Sequence, residues 1–230
     1  MFDFQLGWGR EGPKLFLSDF DGILQTDGYA AYETVGGPKM VHAVCWAHAR
    51  RKFFEAYQLS PGDSLAKGIV VLIDQLFAID AEARAHNCDL AARHALRQQQ
   101  APPLLDAIQQ EIAAARGQAL PSSKLGNAAN YTLALWPKLV RFLQFPELEL
   151  SNNLAENSMR PVALGRKNWI HVGSPQAGPK VAAILSVIET CRRLRLPARN
   201  YLAAVLPGLA DVSIHRLAEL TTAAWTASNQ

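Results

Sequence analysis

The chain has 230 residues, 49% hydrophobic and 19% charged. That is enough apolar side chain for a buried core and too little charge for a disordered chain. No apolar run reaches the roughly 18 residues that a membrane-spanning helix needs, and the N-terminal stretch containing Asp3 and Arg10 lacks the charged-then-apolar order of a signal peptide.

Three widely spaced cysteines, Cys45, Cys88 and Cys191, form neither a disulfide framework nor a Cys-x-x-Cys knuckle, as expected for a reducing, cytoplasmic setting. The net charge of +3 hides an asymmetry. Between Ser158 and Asn200 there are eight basic residues and one acid, Glu189, which gives that segment +7 and leaves −4 elsewhere. Such a segment is either a solvated basic surface or the face that meets a polyanion.

In chain order, Met1 to Leu6 alternates and reads as a strand, and Gly7, Gly9, Gly12 and Pro13 make a turn. Leu15 to Phe20 is a short helix or loop. Gly22 to Asp27 reads as a strand that ends on an acid and is followed by Gly28. After a turn at Gly36-Gly37-Pro38, Met40 to Val44 reads as a second buried strand. Trp46 to Gln58 is helical, with Trp46, Ala49, Phe53 and Tyr57 on one face and His48, Arg51, Lys52 and Glu55 on another.

Residues 63 to 145 are rich in Ala, Leu, Gln and Arg, with helical periodicity and no convincing strand. Ile69, Leu72, Ile73, Leu76 and Ile79-Asp80 mark one amphipathic helix. Pro102-Pro103 and Pro121 are expected to separate further helices, and Tyr131 to Phe145 forms another. At Ser151-Asn152-Asn153 a cap signal opens a helix carrying Glu156, which Pro161 kinks or ends. Gly165 to Gly178 reads as a basic loop or hairpin with Trp169 and His171. Val181 to Leu194 is a long amphipathic helix. Pro197 can start a helical turn leading into Tyr201 to Leu206, and the last ten residues are expected to fray.

A few residues could carry chemistry. Asp27 at a strand end can hold Mg²⁺, which prefers oxygen ligands, or it is simply the first residue of an Asp-Gly turn. Glu156 is either a second metal ligand or the reaching-back member of a capping box with Asn153 as N-cap. Cys45 and His48 form a Cys-x-x-His pair with no second pair to complete a zinc site. Arg50, Arg51, Lys52, Arg160, Arg166 and Lys167 suit phosphate contacts. Trp169 beside them stacks on a base or sugar, or packs in a core.

Three strings together are more specific than any single residue: Gly22-Ile-Leu-Gln-Thr-Asp-Gly-Tyr-Ala-Ala-Tyr32, Cys45-Trp-Ala-His-Ala-Arg-Arg-Lys-Phe53, and Asn152-Asn-Leu-Ala-Glu-Asn-Ser-Met-Arg-Pro161. Val162-Ala-Leu-Gly-Arg-Lys-Asn-Trp169 follows at once, with Gly173-Ser174 beyond it. Their order and content resemble the transposases of the insertion sequence 66 family, over most of the chain. The resemblance implies an α/β fold, a partial RNase H-like domain with a large α-helical insertion and a C-terminal helical extension. It implies residues 1–60 as the first part of the catalytic domain, 61–147 as the insertion, 148–195 as the remainder and 196–230 as a helical tail.

It also implies an Asp-Asp-Glu triad, with Asp27 matching the second acid and Glu156 the third, and Mg²⁺ or Mn²⁺ as cofactor. Cys45 and His48 match an element beside the active site to which the resemblance assigns no role. Transposon-end and target DNA are the implied partners, with a homo-oligomer or an intact transposase as protein partner and no membrane. The first acid belongs on an earlier strand. Only 26 residues precede Asp27, too few for three strands and a helix, and Asp3, Asp19 and Asp21 are poor substitutes. The expectation is therefore a truncated chain, inactive in DNA cutting and joining by itself. Competing readings are a nuclease on the same fold and a non-catalytic DNA-binding or dimerising remnant.

Overall fold

The computed structural model describes all residues except Trp8, Ile170, His171, Asn229 and Gln230, and excludes the side chains of residues 166–169 and 227–228. The chain divides into two compact units, Pro13–Asn157 and a second made of Met1–Gly12 with Ser158–Gln230. The fold is mostly helical, with a single small sheet among the described residues.

Near the N-terminus is helix α1 (Glu11–Leu17). Strands β1 (Ile23–Thr26) and β2 (Val41–Val44) then pair in parallel, with Ile23 opposite Val41 and Thr26 opposite Val44. Parallel pairing requires a crossover rather than a tight hairpin. Residues 27–40 provide it, with a 3-10 turn at Ala30–Tyr32 on the way. Both strands fall within the runs Gly22 to Asp27 and Met40 to Val44 expected for them. The expected α/β architecture is realised only as this two-stranded sheet in a helical body.

Helix α2 (Trp46–Leu59) starts directly after β2 and buries Trp46, Ala49, Phe53 and Ala56, the apolar stripe of a 3.6-residue period. Helix α3 (Ser64–Ala85) is capped by Asp63, whose side chain accepts from the Ala66 N–H at 3.0 Å. Its buried Ile69, Ile73 and Leu76 join Leu105, Ile108 and Ile112 of α4 (Leu90–Gln118) and Trp46 and Phe53 of α2 in one core. Asp89 caps α4 in the same way, through the Ala92 N–H at 2.8 Å.

The expected break at Pro102-Pro103 does not occur: α4 runs through both prolines. A helical proline strips a donor from the carbonyl four residues earlier. Here those carbonyls belong to Gln98 and Gln99, which are exposed, so water can replace the lost bonds, and burial of Ala101 and Leu105 on the opposite face holds the helix together. The single helix expected over Tyr131 to Phe145 is instead the end of α5 (Lys124–Ala134), the short α6 (Trp136–Leu139) and a 3-10 turn at Val140–Leu143.

A buried ion cluster ties this block together. Arg97 is 1% exposed and Asp80 2%. Arg97 grips both Asp80 oxygens at 2.8 and 2.6 Å and donates to the carbonyls of Phe142 at 3.1 Å and Leu148 at 2.8 Å. Arg93 reaches Asp80 at 2.8 Å and Glu149 at 2.9 Å. Burial alone would push the Asp80 carboxyl up, but the hydrogen bonds from Arg97 and Arg93 outweigh it and hold it below the usual carboxylate range.

Helix α7 (Asn153–Trp169) spans the boundary between the units. Pro161 lies inside it and does not end it, so the expected loop from Gly165 is helical as far as Trp169. In the second unit, α8 (Ala177–Arg193) and α9 (Ala198–Val205) follow, with Pro197 at the N-cap of α9. Residues 1–5 form no strand. They lie along α8 instead, where the Phe2 N–H donates to Ser186 Oγ at 2.7 Å and Phe4 fills the space that a side chain at Gly178 would need. The C-terminal stretch expected to fray forms α10 (Thr222–Ser228). Trp225 meets Tyr201 edge to face, and the Tyr201 hydroxyl donates to the Leu220 carbonyl at 2.6 Å.

Candidate active site

Asp27 emerges from the C-terminal end of β1 and is exposed. Its Oδ1 accepts from the Tyr29 N–H at 2.9 Å, and the Gly28 N–H donates to Thr26 Oγ1 at 3.1 Å. The Asp-Gly turn reading therefore holds for one carboxylate oxygen, while Oδ2 has no hydrogen-bond partner among the described residues. Gly28 has φ +85°, and a Cβ there would come within 2.5 Å of the Leu135 side chain. Only glycine combines that conformation with that close approach.

Tyr131 of α5 donates its hydroxyl to the Asp27 carbonyl. Burial, with the negative charge of Asp27 adding to it, pushes this phenol up to about 12, so it stays a neutral donor at physiological pH. Lys52 of α2 lies 4.5 Å from the centre of the Tyr131 ring. The helical block thus braces the Asp27 turn directly. Sequence reading missed Tyr131, because nothing local distinguishes it from other half-buried helical tyrosines.

Glu156 sits in the first turn of α7. The cap expectation is corrected here. The helix begins at Asn153, which makes Asn152 the residue before it, and the Asn152 N–H that a capping box would give to a carboxylate goes to Cys45 Sγ at 3.4 Å. The Glu156 carboxylate instead meets His48 of α2, with Oε1 3.0 Å from Nε2. That geometry makes Nε2 the protonated nitrogen. His48 Nδ1 and Asn152 Oδ1 are both buried and without a hydrogen-bond partner among the described residues.

Cys45 joins the two corners. Its N–H donates to the Thr26 carbonyl at 3.0 Å, extending the β1–β2 ladder to the residue before Asp27, and its sulfur accepts from Asn152 at 3.4 Å. The neighbouring Trp46 N–H donates to the Leu150 carbonyl at 2.8 Å. Burial, with Glu156 adding to it, raises the Cys45 thiol, and hydrogen bonds from Asn152, His48 and Ala47 only partly oppose this. A thiol held protonated is a poor nucleophile and a poor zinc ligand.

Among the described residues no three His, Cys, Asp or Glu side chains converge to hold a metal ion. The oxygen donors linked through Cys45 are the Asp27 and Glu156 carboxylates and the Asn152 amide oxygen, which has no hydrogen-bond partner among the described residues. These are hard oxygens, which suit Mg²⁺ rather than a thiolate-bound Zn²⁺. Mg²⁺ is commonly held by only one or two carboxylates, with waters and substrate phosphates completing the shell, so the residues present fit part of such a site.

The basic residues are distributed unevenly. Arg50 is occupied by a two-pronged contact to Asp74 of α3, with Nη2 2.8 Å from Oδ2, whereas Arg51 and Lys52 are exposed. In the second unit Arg160, Lys180, Arg195 and Arg199 are exposed. Arg192 and Arg193 both pair with Glu189, at 3.3 and 3.4 Å. The side chains of Arg166, Lys167 and Trp169 lie outside those described, as does His171. No described helix is long and apolar enough to cross a membrane.

Comparison with known proteins matches the sequence to a family. The family described as "Transposase IS66 family" matches residues 1–180. The chain is 34% identical to the uncharacterized protein y4hP of Sinorhizobium fredii over 94% of its own length and 42% of that protein's. It is 33% identical to y4jD of the same organism over 92% of its length and 42% of the relative's, and 29% identical to y4qI over 91% and 40%. The chain therefore spans less than half the length of these curated relatives. No solved structure matches it. The family match across most of the chain, with Asp27, the Cys45–His48 element and Glu156 all inside it, shows that this protein belongs to the IS66 family of transposases.

Proposed function

We propose that this chain contributes Asp27 and Glu156 as two of the three carboxylates of a DNA-cutting and strand-joining centre on an RNase H-like fold. On this reading residues 61–147 are the helical insertion between the second and third acids, 1–60 and 148–195 are parts of one catalytic domain, and 196–230 is a tail. The observation that carries it is the linkage through Cys45, which hydrogen-bonds both the end of the Asp27 strand and the start of the Glu156 helix. Sequence places these acids far apart, yet Asp27 leads off the C-terminal end of β1, and Cys45, at the C-terminal end of β2, holds the residue before the Glu156 helix; that end of a sheet is where ligands of α/β domains gather.

A divalent ion bound there would act as a Lewis acid on the phosphoryl oxygens and on the attacking hydroxyl. The chain's own part is to present the two carboxylates. Asp27 keeps Oδ2 available while Oδ1 fastens the turn. Glu156 is oriented by His48 and exposes about 40% of its side chain. The exposed Arg51, Arg160, Lys180, Arg195 and Arg199 are suited to the phosphates of a DNA end, as Arg166 and Lys167 are by residue type. Trp169, next in sequence, suits stacking on a base or sugar.

The direct test is Mn²⁺ binding to the purified chain by electron paramagnetic resonance. Asp27→Asn and Glu156→Gln should each weaken binding at least tenfold, and the wild-type chain alone should give no metal-dependent nicking of transposon-end DNA. Unchanged Mn²⁺ affinity in both variants would overturn the carboxylate assignment. A second reading, a DNA-binding module without catalysis, draws on the exposed basic residues of the second unit. It predicts salt-sensitive DNA binding that survives Glu156→Ala.

A further inference from the structure

The pair Cys45 and His48 has no assigned role, and its residue types suggest a zinc knuckle. The geometry points elsewhere. We infer that this element is a bracket that sets the Glu156 helix against the Asp27 strand, and that it binds no metal of its own. The inference rests on the reading of Asp27 and Glu156 as the metal-holding carboxylates.

Three consecutive contacts build the bracket, all from the β2–α2 junction to the returning chain at 150–156. The Trp46 N–H takes the Leu150 carbonyl at 2.8 Å, Cys45 Sγ takes the Asn152 N–H at 3.4 Å, and His48 Nε2 meets Glu156 Oε1 at 3.0 Å. On its other side Cys45 donates its N–H to the Thr26 carbonyl at 3.0 Å. Residue 45 is therefore bonded to the residue before one acid and to the helix that carries the other. Residue 48, one turn further along α2, sits under the second carboxylate itself.

The residue types follow from these tasks. Position 45 is fully buried and must accept a backbone N–H in an apolar setting, which a neutral thiol does at little desolvation cost. Position 48 must present a donor to a carboxylate from a helix, with a planar group rigid enough to fix its direction. A zinc site would need thiolate and imidazole free to coordinate. Here the sulfur accepts a hydrogen bond and the imidazole Nε2 is turned onto Glu156, and although Nδ1 has no partner among the described residues, no third ligand of the usual kinds converges there among them. Partners that orient a metal-holding carboxylate are often worth 10–100-fold in metal affinity, so His48 and Cys45 are positioning residues.

The test uses the full 230-residue chain with four substitutions and three readouts: zinc content of the purified protein, amide hydrogen exchange over residues 148–158, and Mn²⁺ affinity. His48→Ala should speed exchange at Asn152 to Glu156 at least tenfold and weaken Mn²⁺ binding about tenfold. His48→Gln, which keeps a donor nitrogen, should restore most of both. Cys45→Ser should stay near wild type, whereas Cys45→Val should resemble His48→Ala. The two conservative variants keep the test decisive if a harsher one fails to fold, since both must then retain slow exchange and Mn²⁺ affinity.

Stoichiometric zinc that disappears with Cys45→Ser or His48→Gln would overturn the inference. So would wild-type exchange in His48→Ala, or no rescue by His48→Gln. A wild-type chain that binds no Mn²⁺ but still loosens at 152–156 in His48→Ala would sink the carboxylate reading while leaving the bracket standing, so the two failures are distinguishable.

Discussion

Two charged clusters in the Pro13–Asn157 unit make opposite use of the same chemistry. Asp80, Arg93 and Arg97 are buried or nearly so, and Arg97 alone engages Asp80 through both oxygens and also holds the Phe142 and Leu148 carbonyls. Glu156 and His48 share one contact and remain partly exposed, and His48 Nδ1 and Asn152 Oδ1 beside them have no hydrogen-bond partner among the described residues. The first cluster pairs its charges internally, as burial demands, and leaves only Arg93 Nε of its own polar atoms buried without a partner among the described residues. The second is more open and shares fewer hydrogen bonds, as the proposed carboxylate site would require.

The sharpest way to break the comparison is Arg97→Ala. It leaves buried Asp80 with Arg93 as its one remaining partner among the described residues and removes the donor from the Phe142 and Leu148 carbonyls, so the unit should lose about 3–5 kcal/mol in a urea titration. A loss below about 1 kcal/mol would place Asp80 in solvent contact and dissolve the contrast.

Acid should expose the same dependence. The Asp80 carboxyl is lowered in the fold, so its contribution is present above the ordinary aspartate value of about 3.9. It is lost as pH falls past that value through the lower folded one. Urea midpoints measured at stepped pH should fall across this window in the wild type and stay flatter in Asp80→Asn, once the variant's uniform loss is subtracted.

At the site itself, Gly28→Ala comes next. The left-handed backbone costs a side chain about 1–2 kcal/mol, and its Cβ would press on Leu135 at 2.5 Å. The expected loss is about 2 kcal/mol by thermal denaturation, with weaker Mn²⁺ binding because the Asp27 turn shifts. Tyr131→Phe removes the hydroxyl that donates to the Asp27 carbonyl and should cost about 1 kcal/mol.

Glu156→Gln should be the mildest for stability. A partly exposed pair is worth about 0–1 kcal/mol, so the melting temperature should hardly move while Mn²⁺ affinity falls. A large drop in stability there would make Glu156 a structural residue like Asp80.

Much of the local structure was legible in the residues. The two strands end where apolar β-branched runs meet Asp27 and Cys45, and α2 buries Trp46, Ala49 and Phe53 as its period requires. Asp27 and Glu156 could be picked out by motif, because a strand-end acid and a first-turn acid are local patterns. Their surroundings could not. Whether Glu156 capped its own helix depended on where α7 began and on His48, a residue far away in sequence. That proline should break α4, and that residues 1–6 should pair as a strand, were sound local expectations overruled by context. Exposed carbonyls at Gln98 and Gln99 let water replace the missing donors. The N-terminal segment found α8 to pack on, with no neighbouring strand among the described residues. Sequence determined which segments become helix or strand and which side chains have the chemistry for a site, because those properties repeat over a few residues. Only the tertiary structure decided which polar groups are spent on each other and which stay open, because that depends on partners such as Arg97 and Asp80, or Tyr131 and Asp27, brought together from distant parts of the chain.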